Sequence, residues 1–229
     1  MPQKVLLRKT SLVDYPGRIS SVLFFPSCNL RCPWCHNREL VLSGVPEGAV
    51  PLEEALAHLK KRKSVLGGVV ISGGEPCLWE GLPSLIEEIK KLPLAVKIDT
   101  NGMFPGVLEK LICREETRPD YIAMDLKLAP DRYKELLPKG QPIDNYSLYT
   151  EHLSLPFNPG EALIQSAVLV RTCGIAHEFR TLMLPGGHFT EKDRQALAPL
   201  AEGSVWRFRP FRGGNCLDPA WDKMAQTSE

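Results

Sequence analysis

Three cysteines crowd into eight residues near the start of the chain, in the run Phe25-Pro26-Ser27-Cys28-Asn29-Leu30-Arg31-Cys32-Pro33-Trp34-Cys35-His36-Asn37. The C-x3-C-x2-C spacing lets one loop fold its sulfurs inward around a common centre. Three thiolates suit a [4Fe–4S] cube, whose irons take cysteine ligands, usually four. With three nearby, one iron is left for a ligand that is not protein. The rival chemistry is structural zinc on Cys28, Cys32, Cys35 and His36, although the adjacent Cys35 and His36 have difficulty reaching one tetrahedral centre together. The chain has seven cysteines, so disulfides within it cannot pair them all. Cys77, Cys113, Cys173 and Cys216 share no spacing and read as single buried thiols.

Other polar groups gather in short motifs. Ser72-Gly73-Gly74-Glu75-Pro76 follows an apolar run. Its paired glycines let backbone approach a ligand closely, and Glu75 could receive an ammonium group; alone, the motif reads equally as a tight turn before a helix. Asp99-Thr100-Asn101-Gly102 and Asp125-Leu126-Lys127 each end a further apolar run. Two carboxylates there could bind a cation or hydroxyls, and Lys127 could pair with a ligand carboxylate; each motif alone also reads as an exposed strand end. Arg180 sits among Leu, Met and Phe, where a guanidinium needs an anionic partner, and a structural ion pair would serve. Pro210-Phe211-Arg212-Gly213-Gly214-Asn215 is another Gly-rich loop. His58, His152, His177 and His188 show no ligand pairing and read as structural.

These motifs need elements to hold them. Apolar, β-rich runs predict strands at 18–25, 68–72, 94–99, 121–126, 177–184 and 204–209. Amphipathic spacing predicts helices at 52–63, 82–92, 105–113, 161–173 and 190–200, the last capped by Thr190. Residues 128–160 hold five prolines and mixed periodicity, so a short helix and a loop are expected there. The tail from about 217 reads as polar and irregular. Repeated βα units imply a parallel sheet. Six units are too few for a closed eight-stranded barrel, so the expectation is an open (β/α)6 partial barrel of the α/β class, with a flat doubly wound sheet as the rival. In either, function belongs at the C-terminal strand ends, where the polar motifs fall.

Composition narrows the classes. The chain has 229 residues, 43% hydrophobic and 24% charged, enough apolar material for one sizeable core; we read residues 1–229 as a single domain with its core at about 18–212. Lys plus Arg is 28 against 27 for Asp plus Glu. That balance removes the main argument for a nucleic-acid or membrane-surface partner. No apolar run approaches the ~18 residues of a membrane helix, and residues 1–15 lack the ~7–15-residue apolar core of a secretory signal. The expected location is the cytoplasm, where thiols stay reduced.

CNLRCPWCHN, SGGEP, DTNG and DLK, in this order, resemble the radical S-adenosylmethionine (SAM) superfamily; FRTLMLPG and RPFRGGNCLDP extend the likeness. Within it the chain is similar to glycyl-radical-enzyme activating enzymes. The opening TSLVDYPGRISSVLFFPSCNLRCPWCHN is similar to activating proteins of anaerobic ribonucleoside-triphosphate reductase. The resemblance covers most of residues 10–218 and is weak at about 128–160. It implies a radical SAM fold and a [4Fe–4S] cluster on Cys28, Cys32 and Cys35, with SAM on the open iron. Gly73, Gly74, Glu75 and Pro76 would face the methionyl ammonium. Asp99, Thr100, Asn101 and Asp125 would lie beside the methionyl and ribose portion, with a monovalent cation near Asp99 and Asp125. Lys127 and Arg180 would pair with carboxylate or ribose oxygens, and Trp34, His36 and Asn37 would lie near adenine. The implied reaction is reductive cleavage of SAM to a 5′-deoxyadenosyl radical, which takes a hydrogen from a glycine of a partner glycyl radical enzyme. Reduced flavodoxin or ferredoxin is the implied electron donor. One departure is visible: pyruvate formate-lyase activases carry a His where this chain has Arg212, which leans away from formate-lyase as the partner. A radical SAM enzyme of a small molecule and a zinc-stabilised binding module are the alternatives.

Overall fold

The computed structural model of the chain describes residues 4–42, 45–139 and 158–224. In chain order its elements are β1 (Lys4–Ser11), β2 (Ser20–Phe25), α1 (Arg38–Leu42), β3 (Val50–Pro51), α2 (Leu52–Arg62), β4 (Gly68–Gly73), α3 (Leu82–Lys90), β5 (Ala95–Thr100), α4 (Pro105–Ile112), β6 (Tyr121–Asp125), α5 (Pro159–Thr172), β7 (Ala176–Met183), α6 (Glu191–Leu197), β8 (Val205–Pro210) and α7 (Ala220–Met224). The strands form one sheet in the order β3-β1-β2-β4-β5-β6-β7-β8. From β2 to β8 every pairing is parallel.

That order decides between barrel and flat sheet. A doubly wound sheet reverses its winding at a switch point. Here the six parallel strands follow one another without reversal, so right-handed crossovers place the helices on one face and the sheet curls around the other. Alternation along each strand then divides the residues. Leu23, Phe25, Val69, Ile71, Val96, Ile98, Ile122, Met124 and Phe179 join helix residues such as Ala55, Leu59, Ile86 and Leu163 in the main core. Val22 and Val70 join Tyr15 in a second, smaller cluster on the opposite face.

The six parallel strands and five longer helices lie where apolar patterning places them, with ends shifted by a few residues. Three expectations need correction. Residues 4–11 form an antiparallel strand beside β2; only Val5 and Ser11 are buried in it, so the run lacks the alternation that would reveal it. Residues 220–224 of the supposedly irregular tail are helical, held by the buried Trp221. The scattered cysteines are not uniformly buried: Cys113 is exposed and Cys173 half-buried. Within 128–160 a 3-10 helix spans Pro130–Leu136; the rest of the expected loop, 140–157, and His152 lie outside the described residues. Among the described residues no helix is long and apolar enough to cross a membrane.

The loop after β6, which carries Lys127, is fixed by two buried groups. Tyr133 Oη accepts the Lys127 N–H at 2.9 Å. Asp193, wholly buried, accepts the Ala129 N–H at 2.9 Å, the Thr190 N–H at 2.8 Å and an Arg132 N–H at 2.7 Å. It also closes the capping box that starts α6. Removing that carboxylate strands a buried backbone donor. Asp193→Ala is expected to cost about 2–4 kcal/mol of folding stability, read as a fall in urea midpoint at unchanged slope.

Candidate active site

At the C-terminal ends of the strands lies a cavity of about 360 Å³, within the size range of small-molecule sites. One wall is the loop that leaves β2, with Cys28, Cys32, Trp34, Cys35, His36 and Asn37. All three thiols are free. The Cys28 sulfur receives the Leu30 N–H at 3.4 Å and an Asn101 side-chain N–H at 3.8 Å, donors that favour a thiolate. Burial pushes the Cys28 thiol up to about 12, with Cys32 nearby adding to the rise. Burial also raises Cys32 to about 11, while Lys127 pulls the other way.

The second wall is backbone. Gly73 and Gly74 end β4, and a Cβ on Gly74 would lie 1.8 Å from the Ser27 carbonyl oxygen. Gly73 has φ +116, open chiefly to glycine. The Gly74 and Glu75 N–H groups donate to the Phe25 and Ser27 carbonyls, both at 2.9 Å. Asn37 donates to the Gly73 carbonyl at 2.7 Å. The cysteine loop and the glycine turn are thus sewn together by main chain.

The floor is charged. β5, β6 and β7 bring Asp99, Asp125 and Arg180 to the concave face. Arg180 lies 2.9 Å from Asp125 and 3.3 Å from Asp99, and Lys127 lies 3.0 Å from Asp125. Ser72 donates to Asp99 at 3.0 Å, and the buried Lys97 sits 3.2 Å from its other oxygen. Burial alone would raise Asp125; Arg180 and Lys127 outweigh it and hold the carboxyl well below the usual range. Lys127 is raised, Asp125 overcoming the opposing effect of burial. Three cations against two carboxylates leave the floor with excess positive charge, suited to a ligand carboxylate.

Of the residues to which the resemblance gives a role at the cluster or SAM, all but Glu75 and Pro76 line this cavity; the Pro210–Asn215 loop does not. Glu75 is buried and turned inward. Its carboxylate accepts the Cys77 N–H at 3.1 Å, the Thr100 hydroxyl at 2.8 Å and the Asn101 N–H at 2.7 Å, so it ties the end of β4 to the end of β5. Arg180 has its anionic partners, and they are the two aspartates of the neighbouring motifs. Arg180, Lys97 and Lys127 surround the two aspartates. His36 does not turn towards the cysteines: its Nε2 lies 2.5 Å from the Arg212 carbonyl oxygen and its ring stacks on Phe211. Among the described residues no three His, Cys, Asp or Glu side chains converge on a single-ion site. Sequence reasoning missed Leu30, Ser72, Thr181, Leu182 and Arg209 as lining residues. Ser72 lies inside the quoted SGGEP motif, and strand register places Leu182 beside Arg209.

Residues 22–197 match the radical SAM superfamily. The chain belongs to the radical SAM superfamily. This superfamily works with a [4Fe–4S] cluster and SAM. The cavity fits the pair: free thiols on one wall, glycine backbone on another, and Lys127, Arg180 and Arg209 among the groups around them. Among relatives, a Methanocaldococcus jannaschii protein provisionally named a glycyl-radical enzyme activating enzyme is 37% identical over 56% of this chain and 51% of its own length. A pyruvate formate-lyase-activating enzyme of Clostridium pasteurianum is 34% identical over 59% of this chain and 57% of its own. A 7-carboxy-7-deazaguanine synthase of Hyperthermus butylicus is 37% identical over 40% and 38%. The chain thus spans about half or less of the length of these relatives. In fold it resembles a radical SAM methyltransferase of Sphaerobacter thermophilus, with TM-score 0.56 and 16% identity over 93% of this chain and 64% of that one. It also resembles Streptococcus suis SuiB bound to S-adenosylmethionine, with TM-score 0.52 and 18% identity over 84% and 42%.

The buried thiols give the metal-free radical SAM fold a pH signature. In the unfolded chain a cysteine ionises near ~8.5, whereas folded Cys28 and Cys32 hold their protons to about 12 and about 11. Between these limits the folded state binds more protons, so stability falls as pH rises. The urea midpoint of the metal-free protein is expected to drop between about pH 8 and pH 10, and Cys28→Ser with Cys32→Ser should flatten that slope.

Proposed function

We propose that this chain is a radical SAM activase of a glycyl radical enzyme, with anaerobic ribonucleoside-triphosphate reductase as the partner. One observation carries the reading: a single cavity joins three free thiols, the paired glycines and the Asp99–Arg180–Asp125–Lys127 floor. Cys28, Cys32 and Cys35 would hold a [4Fe–4S] cluster with one iron open. The cluster and SAM together supply one-electron cleavage of the sulfonium and a carbon radical able to take hydrogen from a glycine Cα. The chain's own residues orient and enclose. The carbonyl oxygens of Gly73 and Gly74 would accept from the methionyl ammonium, with Glu75 holding their turn from behind. Lys127 would meet the carboxylate, kept charged by Asp125. Arg180 would keep Asp99 and Asp125 in register beside the ribose, with Thr100 and Asn101 fixed by Glu75. Trp34 and His36 would flank the adenine.

The glycyl-radical activating names among the relatives support the class of partner, and the TSLVDYPG opening supports the reductase. The electron donor we infer is reduced flavodoxin or ferredoxin, and the location the cytoplasm. A second reading has its own support: the likeness to 7-carboxy-7-deazaguanine synthases favours a small-molecule substrate on the same cofactors. Formation of 5′-deoxyadenosine only when the reductase is present supports the activase; turnover of a metabolite alone supports the second reading.

The first test is anaerobic reconstitution followed by EPR of the reduced protein. A [4Fe–4S]⁺ signal reshaped by SAM is expected; tightly bound zinc with no iron or sulfide would refute both enzyme readings. Cys32→Ala should abolish SAM cleavage. Lys127→Ala should leave cluster content unchanged and weaken SAM binding about 10–100-fold, as loss of a charge-assisted hydrogen bond does; unchanged affinity would remove Lys127 from the site.

A further inference from the structure

The residues that follow β8 pack against the cysteine loop. Phe211 stacks on His36, with ring centres 5.9 Å apart, and the Arg212 carbonyl oxygen meets the same imidazole. The Leu217 N–H donates to the Cys35 carbonyl and the Asp218 N–H to the Pro33 carbonyl, both at 2.9 Å. Trp221 packs its ring 5.1 Å from that of Trp34 and touches Phe211 and His188 as well. The segment is also folded on itself: Asp222 accepts the N–H groups of Gly214 and Cys216 at 2.9 and 3.0 Å. Trp34, Cys35 and His36 are thus gripped at three successive positions, and all three line the cavity.

We propose that residues 211–222 are a retaining strap for the cofactor loop, with Trp221 as its positioning residue. The inference rests on the cluster reading above. A loop that donates Cys35 must hold still for the cluster to stay; its first half bonds internally through Leu30 and Arg31, whereas within Cys32–His36 the internal bond is the turn from Cys35 N–H to the Cys32 carbonyl at 3.0 Å. The second half is held from outside by the strap, with Asn37 bonded to the glycine turn, while the first half is also tied to Leu136 and Asn101. Coupling of this kind is reciprocal. Whatever affinity the strap adds to cluster binding, a loaded cluster adds by the same factor to closure of the strap.

The experiment follows iron release from reconstituted protein to a ferrous chelator. Trp221→Ala should speed release about tenfold, the scale of a lost aromatic contact with its accompanying hydrogen bonds. Trp221→Phe should restore most of the retention. Leu59→Ala, which opens the core under α2 far from the strap, should lower overall stability and leave the release rate unchanged. In the wild-type protein, amide exchange at Leu217 and Asp218 should slow about tenfold on cluster loading. Equal release from wild type and Trp221→Ala, or equal exchange with and without cluster, overturns the strap while leaving the cluster reading intact. If Trp221→Ala does not fold, the exchange measurement decides alone. A wild-type protein that takes up no iron and sulfide overturns the cluster reading and the strap with it.

Discussion

Arg180 bridges two aspartates that belong to two neighbouring strands, and the floor of the cavity depends on that bridge. A guanidinium on the concave face of a sheet loses most of its hydration, and the lost solvation is offset only by close, well-oriented anions. Asp99 and Asp125 supply them at 3.3 and 2.9 Å. Each aspartate then needs its own second partner, met by Lys97 beneath and Lys127 above. The network spans β5, β6 and β7 and sets their ends at one level. A charged ligand entering here meets groups that are already oriented, so little reorganisation is needed on binding.

The remaining walls are built by different physics. The glycine turn and the cysteine loop approach so closely that no side chain fits between them, and main-chain hydrogen bonds join them. Glu75 supports this junction from inside the protein, accepting three hydrogen bonds from groups that burial would otherwise leave unpaired. Burial holds its carboxyl above the usual range, while the three hydrogen bonds pull it down. The site therefore combines a rigid backbone wall, a charged floor and a cysteine loop gripped from outside, each fixed by elements distant in the chain.

Curvature connects these features. Sequential parallel strands with helices on one face leave the other face concave, and its upper rim gathers the ends of β2, β4, β5, β6 and β7. Among the described residues β8 is the last strand of the sheet, and its Arg207, Phe208, Arg209 and Pro210 are exposed.

Much of this was legible in the chain before folding. Val69–Ile71 and Ile122–Met124 are apolar on successive residues because parallel strands are covered on both faces, and apolar, β-rich runs of this kind placed the six central strands. The cysteine spacing and the glycine pair were legible because backbone geometry and metal chemistry demand particular residue types within one loop. β1 was not, since one half-exposed edge carries no periodicity, and α7 was not, since five residues held by one tryptophan leave no pattern. The direction in which Glu75 turns, the choice of Asp99 and Asp125 as partners for Arg180, and the hold of Trp221 on Trp34 all join residues far apart in sequence. Local chemistry names which groups can react or bind. Only the folded chain decides which of them meet, because long-range contacts are set by strand order and curvature rather than by neighbouring residues.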